Sequence, residues 1–379
     1  MMNVPFNDPG ALGDELAYVG DAIAQGRLAS GGVFTQRCET LMEQALGVPR
    51  ALLTTSCTHA LEMAALLLDI GPGDEVILPS FTFTSTANAF VLRGARPVFA
   101  DVRPGTLNLD ELRLERLITP RTRAIVPVHY AGVGCRMDAI MALAAAHGVA
   151  VVEDNAHGLF GSYRGRCLGT FGALATLSFH ETKNITCGEG GMLLINEPRL
   201  VERAEIIRDK GTDRSRFLRG EVDKYSWVGV GSSYGLSDIL AAFLLAQLEA
   251  AERIQARRRR LWESYRARLD DWAHANDVLL PTVPDDCAQA YHLFYLLLPT
   301  EERRQSLIAH LADRGVASAF HYVPLHLSPL GRRWGYQPGD LPVTERIGDQ
   351  LLRLPLSNGL TDEQQDAVVA AIHDWRERA

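Results

Sequence analysis

Between about residues 50 and 196, short runs of β-branched residues alternate with longer stretches of helical periodicity. Such alternation is typical of βαβ units that build a mainly parallel sheet. Ligands of these sheets bind at the carboxyl ends of strands, so the polar residues that follow each strand are the first candidates for a functional site. The pattern predicts seven buried strands, which are Ala51–Thr54, Glu75–Leu78, Pro97–Ala100, Ala124–Val128, Ala150–Glu153, Leu174–Phe179 and Gly191–Ile195.

A different pattern begins at Ser237, where apolar residues recur at steps of three and four and predict one long helix. This helix includes Arg257–Arg260, which we interpret as a solvated helix face in preference to a binding patch. The chain beyond residue 279 has the pattern of a smaller α+β lobe, with a strand at Tyr291–Leu298. Because single cores stop growing near roughly 250 to 300 residues, we expect two domains, residues 1–250 and 251–379.

Composition narrows the class of protein. A hydrophobic content of 47% and a charged content of 22% indicate a folded chain, and a net charge of -8 argues against a general nucleic-acid binder. The six cysteines form no CxxC pair, so we interpret them as reduced thiols and expect no metal site. The sequence has neither an unbroken apolar run of about 18 residues nor a signal-like opening, which predicts a cytoplasmic protein without a membrane partner.

The segment SFHETKNITCGEGG, Ser178 to Gly191, carries the first chemical signal. A strand runs into a polar turn with a single lysine, Lys183, and then into a cluster of three glycines. A lone lysine in a loop is usually a solvated charge. Here the glycines allow the backbone to approach a bound group closely, and Ser178 lies five residues before the lysine. Together these features predict an enclosed cofactor that carries an aldehyde.

Three further segments follow predicted strands. In VVEDNAHG, Asp154 is a candidate to keep the ring nitrogen of pyridoxal 5'-phosphate (PLP) protonated, although it is equally compatible with a helix cap. In TTSCTHAL, a turn rich in hydroxyl groups precedes a helix and suits a phosphate, but serine and threonine are also ordinary N-caps. In PSFTFTSTANA, Phe81 and Phe83 either cover a pyridine ring or belong to the core.

These segments resemble the PLP-dependent sugar aminotransferases of the DegT/DnrJ/EryC1/StrS family, a fold-type I group, over essentially the whole chain. SFHETKN with GEGG is similar to the lysine motif of that family, and EDNAH is similar to its pyridine-nitrogen motif. The resemblance implies a homodimer whose active sites each use two chains. It also implies a cofactor site in which Lys183 bonds PLP, Asp154 faces the ring nitrogen, Phe83 stacks on the ring, His157 lies beside the phenolic oxygen, and Ser178, Cys57 and Thr58 hold the phosphate.

Two departures from the family pattern stand out. Cys57 replaces a glycine that many members have in the phosphate turn, a change that leaves a backbone contact possible. In GSSYG, Ser233 occupies the position of an asparagine that in the wider family reaches the cofactor phosphate of the partner. GSSY, FHETKN, DKYSW and HYVPLHLSP instead resemble the branch that makes TDP-4-amino-4,6-dideoxygalactose, which implies TDP-4-keto-6-deoxy-D-glucose and L-glutamate as substrates.

The acceptor site has its own sequence signal. In RDKGTDRSRFLRGEVDKYSW, basic residues surround aromatic ones, a pattern that suits a nucleoside diphosphate, and we single out Arg214 and Tyr225. The alternative is a mobile, solvated loop. The candidates to line the sugar pocket are His321, Tyr322 and His326, although histidines at strand ends are often only structural.

Other functions fit less well. A sugar dehydratase of the same family carries histidine in place of Lys183. A nicotinamide dehydrogenase is disfavoured because GVGSSYG follows a charged loop and so lacks the strand that a nicotinamide-binding fingerprint needs. Amination at C3, a UDP or GDP sugar, and a PLP-binding regulator without turnover stay open as alternatives.

Overall fold

The seven predicted strands form one twisted sheet in the computed structural model, which describes residues 3–10 and 14–376. Its strand order is β1-β9-β8-β5-β4-β2-β3, and β9 alone runs antiparallel to its neighbours. These strands are β1 (Arg50–Thr54), β2 (Glu75–Pro79), β3 (Arg96–Ala100), β4 (Thr122–Ile125), β5 (Ala150–Asp154), β8 (Leu174–Ser178) and β9 (Gly191–Ile195). The α/β fold with a large, mainly parallel sheet is thereby confirmed.

Shorter strands form two further sheets of three strands each. The first has the order β10-β6-β7 and contains β6 (Ser162–Tyr163), β7 (Arg166–Cys167) and β10 (Cys287–Ala288). The second is antiparallel with the order β11-β13-β12 and contains β11 (Phe294–Leu297), β12 (Ala319–Phe320) and β13 (Leu351–Leu354).

Helices cover both faces of the main sheet and also pack against the C-terminal sheet. Those up to the middle of the chain are α1 (Glu15–Gln25), α2 (Val33–Leu46), α3 (Cys57–Leu67), α4 (Thr84–Val91), α5 (Met137–His147), α6 (Val201–Arg208) and α7 (Arg214–Leu218). The remainder are α8 (Asp238–Glu249), α9 (Ala251–Ala275), α10 (Glu301–Ala312), α11 (Pro342–Gln350) and α12 (Asp362–Asp374). None of the helices in the described ranges is both long and apolar enough to cross a membrane.

The alternation of side chains along each strand explains the layers. On β1, Leu52 packs with α3 and α4 on one face, whereas Leu53 packs with α2 and α8 on the other. Both faces of the sheet are therefore buried, and its strands are apolar almost throughout, as parallel sheets require. Polar side chains that could contact a ligand are therefore expected at the strand ends.

The C-terminal sheet has a core of its own. Trp262 and Tyr265 of α9 pack against Phe294 of β11 and Ile372 of α12. Val4, near the start of the described chain, belongs to the same cluster and its amide donates to the carbonyl of Gly315. The boundary at residue 250 stays a prediction, and the N-terminal segment contributes to the core that we expected from residues 251–379 alone.

The structure corrects three expectations about this region. The predicted long helix is two helices that meet at Ala250, because α8 packs against α1 and α2 whereas α9 belongs to the C-terminal core. The strand predicted at Tyr291–Leu298 is limited to Phe294–Leu297. Arg258, which we placed on a solvated face, is only 1% exposed.

Arg258 explains why the strand begins late. Its guanidinium donates to the carbonyl oxygens of Tyr291 (3.0 Å), His292 and Leu356 (3.1 Å). The carbonyls of Tyr291 and His292 are therefore bonded to a side chain and not to a neighbouring strand. A buried guanidinium is tolerated when its donors are satisfied in this way. Arg259 and Arg260 do lie on the exposed face.

Candidate active site

A cavity of about 390 Å³ lies at the carboxyl ends of β2, β5 and β8 and at the N-terminus of α3. This is the edge at which ligands of parallel sheets bind. Residues from the C-terminal part of the chain form the opposite wall of the cavity. Nine of the residues singled out from the sequence line this one cavity: Cys57, Thr58, Phe83, Asp154, His157, Ser178, Lys183, His321 and Tyr322.

Lys183 lies in a turn that neighbouring elements hold in place. Its backbone amide donates to the carbonyl of His180 (2.9 Å), and the amide group of Asn184 donates to the carbonyl of Ala290 (2.6 Å). Burial among the cavity walls lowers the pKa of Lys183 from 10.5 to about 8, and Arg353 acts in the same direction. A substantial fraction of this amine is therefore neutral near pH 8, the state that attacks a carbonyl.

Asp154 ends β5 with its carboxylate facing the cavity. Its Oδ2 accepts a hydrogen bond from Thr86 Oγ1 (2.7 Å), and its Oδ1 accepts one from the amide of Ala156 (3.2 Å). Thr86 is in turn bonded to Thr82 (2.8 Å). These contacts fix the direction of the carboxylate, so it is oriented to face a cationic ring nitrogen in the cavity.

The hydroxyl-rich turn begins α3. Ser56 is the N-cap and its side chain accepts from the amide of His59, and Thr58 is hydrogen-bonded to Ser85 (2.7 Å). Burial, together with Asp154, raises the pKa of the Cys57 thiol to about 12, so Cys57 is neutral. The positive end of a helix and several hydroxyl groups make this turn suitable for a phosphate.

Gly191 is required by the close approach of β9 to this turn. A Cβ on Gly191 would lie 2.2 Å from the carbonyl carbon of Ser56 and 2.3 Å from the nitrogen of Cys57. Only glycine allows this approach of the two backbones. From the sequence we attributed the glycine cluster to a nearby ligand, but the close neighbour of Gly191 is the backbone of the phosphate turn.

Aromatic residues stand at the mouth of the cavity. Phe83 is 59% exposed and faces Tyr322, with 6.4 Å between ring centroids. Phe81, in contrast, is buried in the core beside Tyr130. Of the two phenylalanines singled out from the sequence, Phe83 is therefore the one whose ring is free to cover a planar ligand.

Three histidine rings form one wall. His157 stacks on His292 at 4.2 Å between centroids, and His321 lies 6.2 Å from His157 on the other side. Burial keeps the pKa of all three well below the ordinary value, and Lys183 and Arg353 act in the same direction. The wall is thus neutral. His157 Nδ1 is buried and has no hydrogen-bond partner among the described residues.

Three residues singled out from the sequence lie outside the cavity of their own chain. Ser233 is exposed and its backbone bridges to Asp209. Arg214 begins α7 and pairs with Asp209 (3.4 Å), and Tyr225 is 52% exposed beside Phe217. None of these side chains contacts the Lys183 cavity within the part of the chain that the structure describes.

The structure corrects the prediction for His326. Its ring is fully buried, with Nδ1 bonded to Ser80 Oγ (2.7 Å) and Nε2 bonded to Glu345 Oε1 (3.0 Å). Both ring nitrogens are therefore occupied by protein groups, and His326 does not line the cavity. It ties the loop after β12 to the end of β2, which is a structural role.

Sequence reasoning missed Thr86, His292 and Arg353, which also line the cavity. A signal was available for Arg353, because a charged residue interrupts the otherwise apolar LLRLPL of β13. No comparable signal marks Thr86, whose segment reads as an ordinary helix start, or His292.

The cavity thus combines features that PLP requires. A lysine with a lowered pKa, an oriented carboxylate, a helix N-terminus with hydroxyl groups and an aromatic face all border one space. The unpartnered His157 Nδ1 would gain a partner in an oxygen of the cofactor. Fold and site together define a PLP-dependent transferase of fold type I.

The chain belongs to the DegT/DnrJ/EryC1/StrS aminotransferase family, whose profile matches residues 12–373. It is therefore a PLP-dependent enzyme of a sugar aminotransferase family, as the sequence resemblance implied.

Individual relatives agree with this assignment. The spore coat polysaccharide biosynthesis protein SpsC of Bacillus subtilis is 34% identical over 98% of this chain and 96% of its own length. The structure of DesV from S. venezuelae is 34% identical, with a TM-score of 0.90 and full coverage of both chains. Spr1654 of Streptococcus pneumoniae is 26% identical and has been solved in a PLP form (TM-score 0.89) and a PMP form (TM-score 0.90), each covering 98% of both chains.

Proposed function

We propose that this enzyme transfers the amino group of L-glutamate to TDP-4-keto-6-deoxy-D-glucose and forms TDP-4-amino-4,6-dideoxy-D-galactose and 2-oxoglutarate. The observation that carries amino transfer is the placement of Lys183 and Asp154 on one cavity beside an anion-binding turn. The particular sugar is supported by the four sequence segments that resemble the branch acting on it.

Each side chain has a proposed task in this reaction. Bound PLP supplies an electron sink for a carbanion next to the amino group. Lys183 would hold the cofactor through its amine and would carry the proton that amino transfer requires, because its lowered pKa leaves a usable fraction of the amine neutral. Asp154 holds the proton on the ring nitrogen, and Thr86 orients Asp154.

The other cavity residues have proposed contacts with the cofactor. Cys57, Thr58 and Ser178 bind the phosphate, with backbone amides at the start of α3 as the main donors. Phe83, whose ring is exposed, would stack on one face of the cofactor ring, and His157, whose Nδ1 has no partner among the described residues, would contact the phenolic oxygen.

We further propose a homodimer in which Ser233, Arg214 and Tyr225 serve the active site of the partner subunit. Exposed apolar side chains near these residues support the proposal, because such patches mark interaction surfaces. Trp227 is 79% exposed and Val230 is 71% exposed.

The decisive experiment is incubation of the purified enzyme with glutamate and a panel of nucleotide-linked keto sugars, read by mass spectrometry. We expect a gain of one amino group on TDP-4-keto-6-deoxyglucose and a parallel release of 2-oxoglutarate. Failure with this sugar, together with success of a 3-keto isomer or of a UDP or GDP sugar, would overturn the substrate assignment.

Two other outcomes address competing functions. Loss of the sugar hydroxyl group without amine gain would indicate a dehydratase, a reaction that the presence of Lys183 disfavours. Bound PLP with no amino transfer to any sugar in the panel would select a regulator without turnover.

A further inference from the structure

Arg353 is a cation in the cavity that forms no ion pair with any of the described residues. It interrupts the apolar strand β13 and lines the same cavity as Lys183. Its Nη1 donates to His321 Nε2 (3.1 Å), whereas Nε is buried and has no partner among the described residues. No carboxylate in the described ranges forms an ion pair with it, unlike the partly buried Arg50, which pairs with Glu39 at 3.1 Å. An enclosed guanidinium of this kind requires an anion from elsewhere.

The orientation of this guanidinium is fixed before any ligand arrives. The ring of Phe6 covers one face, 4.8 Å from centroid to guanidinium carbon. His321 accepts the bond from Arg353 through Nε2, so its proton lies on Nδ1, which faces the Tyr130 hydroxyl at 3.1 Å. With one face covered by Phe6 and Nη1 held by His321, the guanidinium has a fixed orientation in the wall of the cavity, and a planar carboxylate is the anion that best matches the fork of such a group.

The two substrates of the proposed reaction differ in what they present to this cation. An α-amino acid carries its carboxylate one carbon from the amino group, which reacts where Lys183 lies. A nucleotide-linked keto sugar carries its charge on the diphosphate, and its reacting carbon is flanked by uncharged groups. The phosphate of the cofactor would bind at the N-terminus of α3, so it would not need Arg353. The α-carboxylate is therefore the anion that fits beside Lys183.

We propose that Arg353, positioned by His321, binds the α-carboxylate of the amino donor and is the residue that selects an α-amino acid. This inference rests on the proposed amino transfer. It assigns Arg353 to the donor half of the reaction alone, since the keto sugar offers it no carboxylate. 2-Oxoglutarate, which keeps the same carboxylate, occupies the same position in reverse.

The test separates the two halves of the reaction. Glutamate is titrated, in the absence of sugar, into three PLP-loaded proteins: wild type, Arg353→Met and Arg353→Lys. The loss of the visible cofactor band gives the half-saturating concentration of glutamate. The same titrations use the glutamate analogue whose α-carboxylate is a carboxamide. The PMP-loaded proteins are then mixed with the keto sugar in single turnovers. Arg333→Met, which removes an exposed arginine away from the cavity, is the matched control.

For Arg353→Met we expect half-saturation by glutamate to rise about 10- to 100-fold, since a charge-assisted hydrogen bond is lost. The rate of the sugar half-reaction should stay within about twofold of wild type. For Arg353→Lys, half-saturation by glutamate should lie between the values of wild type and Arg353→Met. Wild type should discriminate against the carboxamide by a similar factor, and Arg353→Met should no longer discriminate.

The inference is overturned if Arg353→Met titrates like wild type, if both halves weaken equally, or if wild type accepts the carboxamide as readily as glutamate. The last comparison needs no variant and holds even if Arg353→Met does not fold. A wild-type enzyme that transfers no amino group from any donor would instead refute the proposed function, so the two failures are distinguishable.

Discussion

Lys183 is one of only three lysines in 379 residues, and the other two, Lys210 and Lys224, lie in the exposed segment after α6. Lys183 alone borders the cavity. The environment, and not the residue type, makes it reactive, because burial lowers its pKa to about 8.

Replacement of this amine tests the central chemistry. For Lys183→Ala we expect a folded protein whose turnover falls by about 10⁴-fold, because both the covalent link and the proton carrier are removed. Turnover is measured by 2-oxoglutarate release and folding by the thermal melting curve. Borohydride reduction and peptide mapping should label position 183 in wild type, Lys210→Ala and Lys224→Ala alike. Near-normal turnover of Lys183→Ala would contradict the mechanism.

The lowered pKa of Lys183 predicts how cofactor attachment depends on pH. Only the neutral amine bonds the aldehyde, and the neutral fraction grows as pH approaches the pKa from below. When apo-protein is mixed with PLP, the initial rate of appearance of the visible band should therefore rise about tenfold per pH unit below about 8 and level off above it. A rate that kept rising toward the ordinary value of 10.5 would show that burial does not act on this lysine.

At the scale of elements, α9 joins the C-terminal core to the cavity wall. Arg258 reaches from this helix to the carbonyls of Tyr291 and His292, and the His292 ring lines the cavity. The helix therefore fixes both a boundary of β11 and the position of one histidine of the active site.

A single substitution can remove the hydrogen bonds that Arg258 makes. Arg258→Met leaves three buried carbonyl groups without their donor, so the free energy of unfolding should fall by about 3 to 5 kcal/mol. The matched control is Arg259→Met on the same helix, whose partner Glu263 is exposed, and it should change stability by less than about 0.5 kcal/mol. Urea denaturation measures both variants. Equal, small effects would indicate that Arg258 is no more important than its exposed neighbour.

At the scale of the whole molecule, a single chain leaves Ser233, Arg214 and Tyr225 outside its own cavity. If these side chains act on the substrate, a second subunit must bring them to it. The proposed homodimer is therefore a statement about catalysis as well as about assembly.

Mixed dimers test whether active sites are shared. We expect weak activity from each of two variants alone, Lys183→Ala and the double variant Arg214→Ala/Tyr225→Ala. In a mixed dimer with shared sites, one site combines the intact Lys183 of one chain with the intact Arg214 and Tyr225 of the other. Random pairing should thus restore about one active site in four. Activity no higher than the mean of the parents would mean that each site uses one chain. Light scattering on the same samples reports the assembly.

The sequence by itself determined the seven strands of the main sheet and the family, because β-strand periodicity and local motifs such as SFHETKN and EDNAH are written in consecutive residues. It also indicated nine side chains that line one cavity, and seven of them end or follow strands of the main sheet, whose carboxyl ends meet at one edge.

Only the tertiary structure decided the features that depend on contacts between distant segments. It buried Arg258 under carbonyls some 33 to 98 residues away and satisfied His326 with Ser80 and Glu345. It also placed Arg353 in the Lys183 cavity with no ion-pair partner among the described residues. Burial and hydrogen-bond partners decide whether a polar residue is structural or functional. Those partners come from separate elements, and no local pattern encodes them.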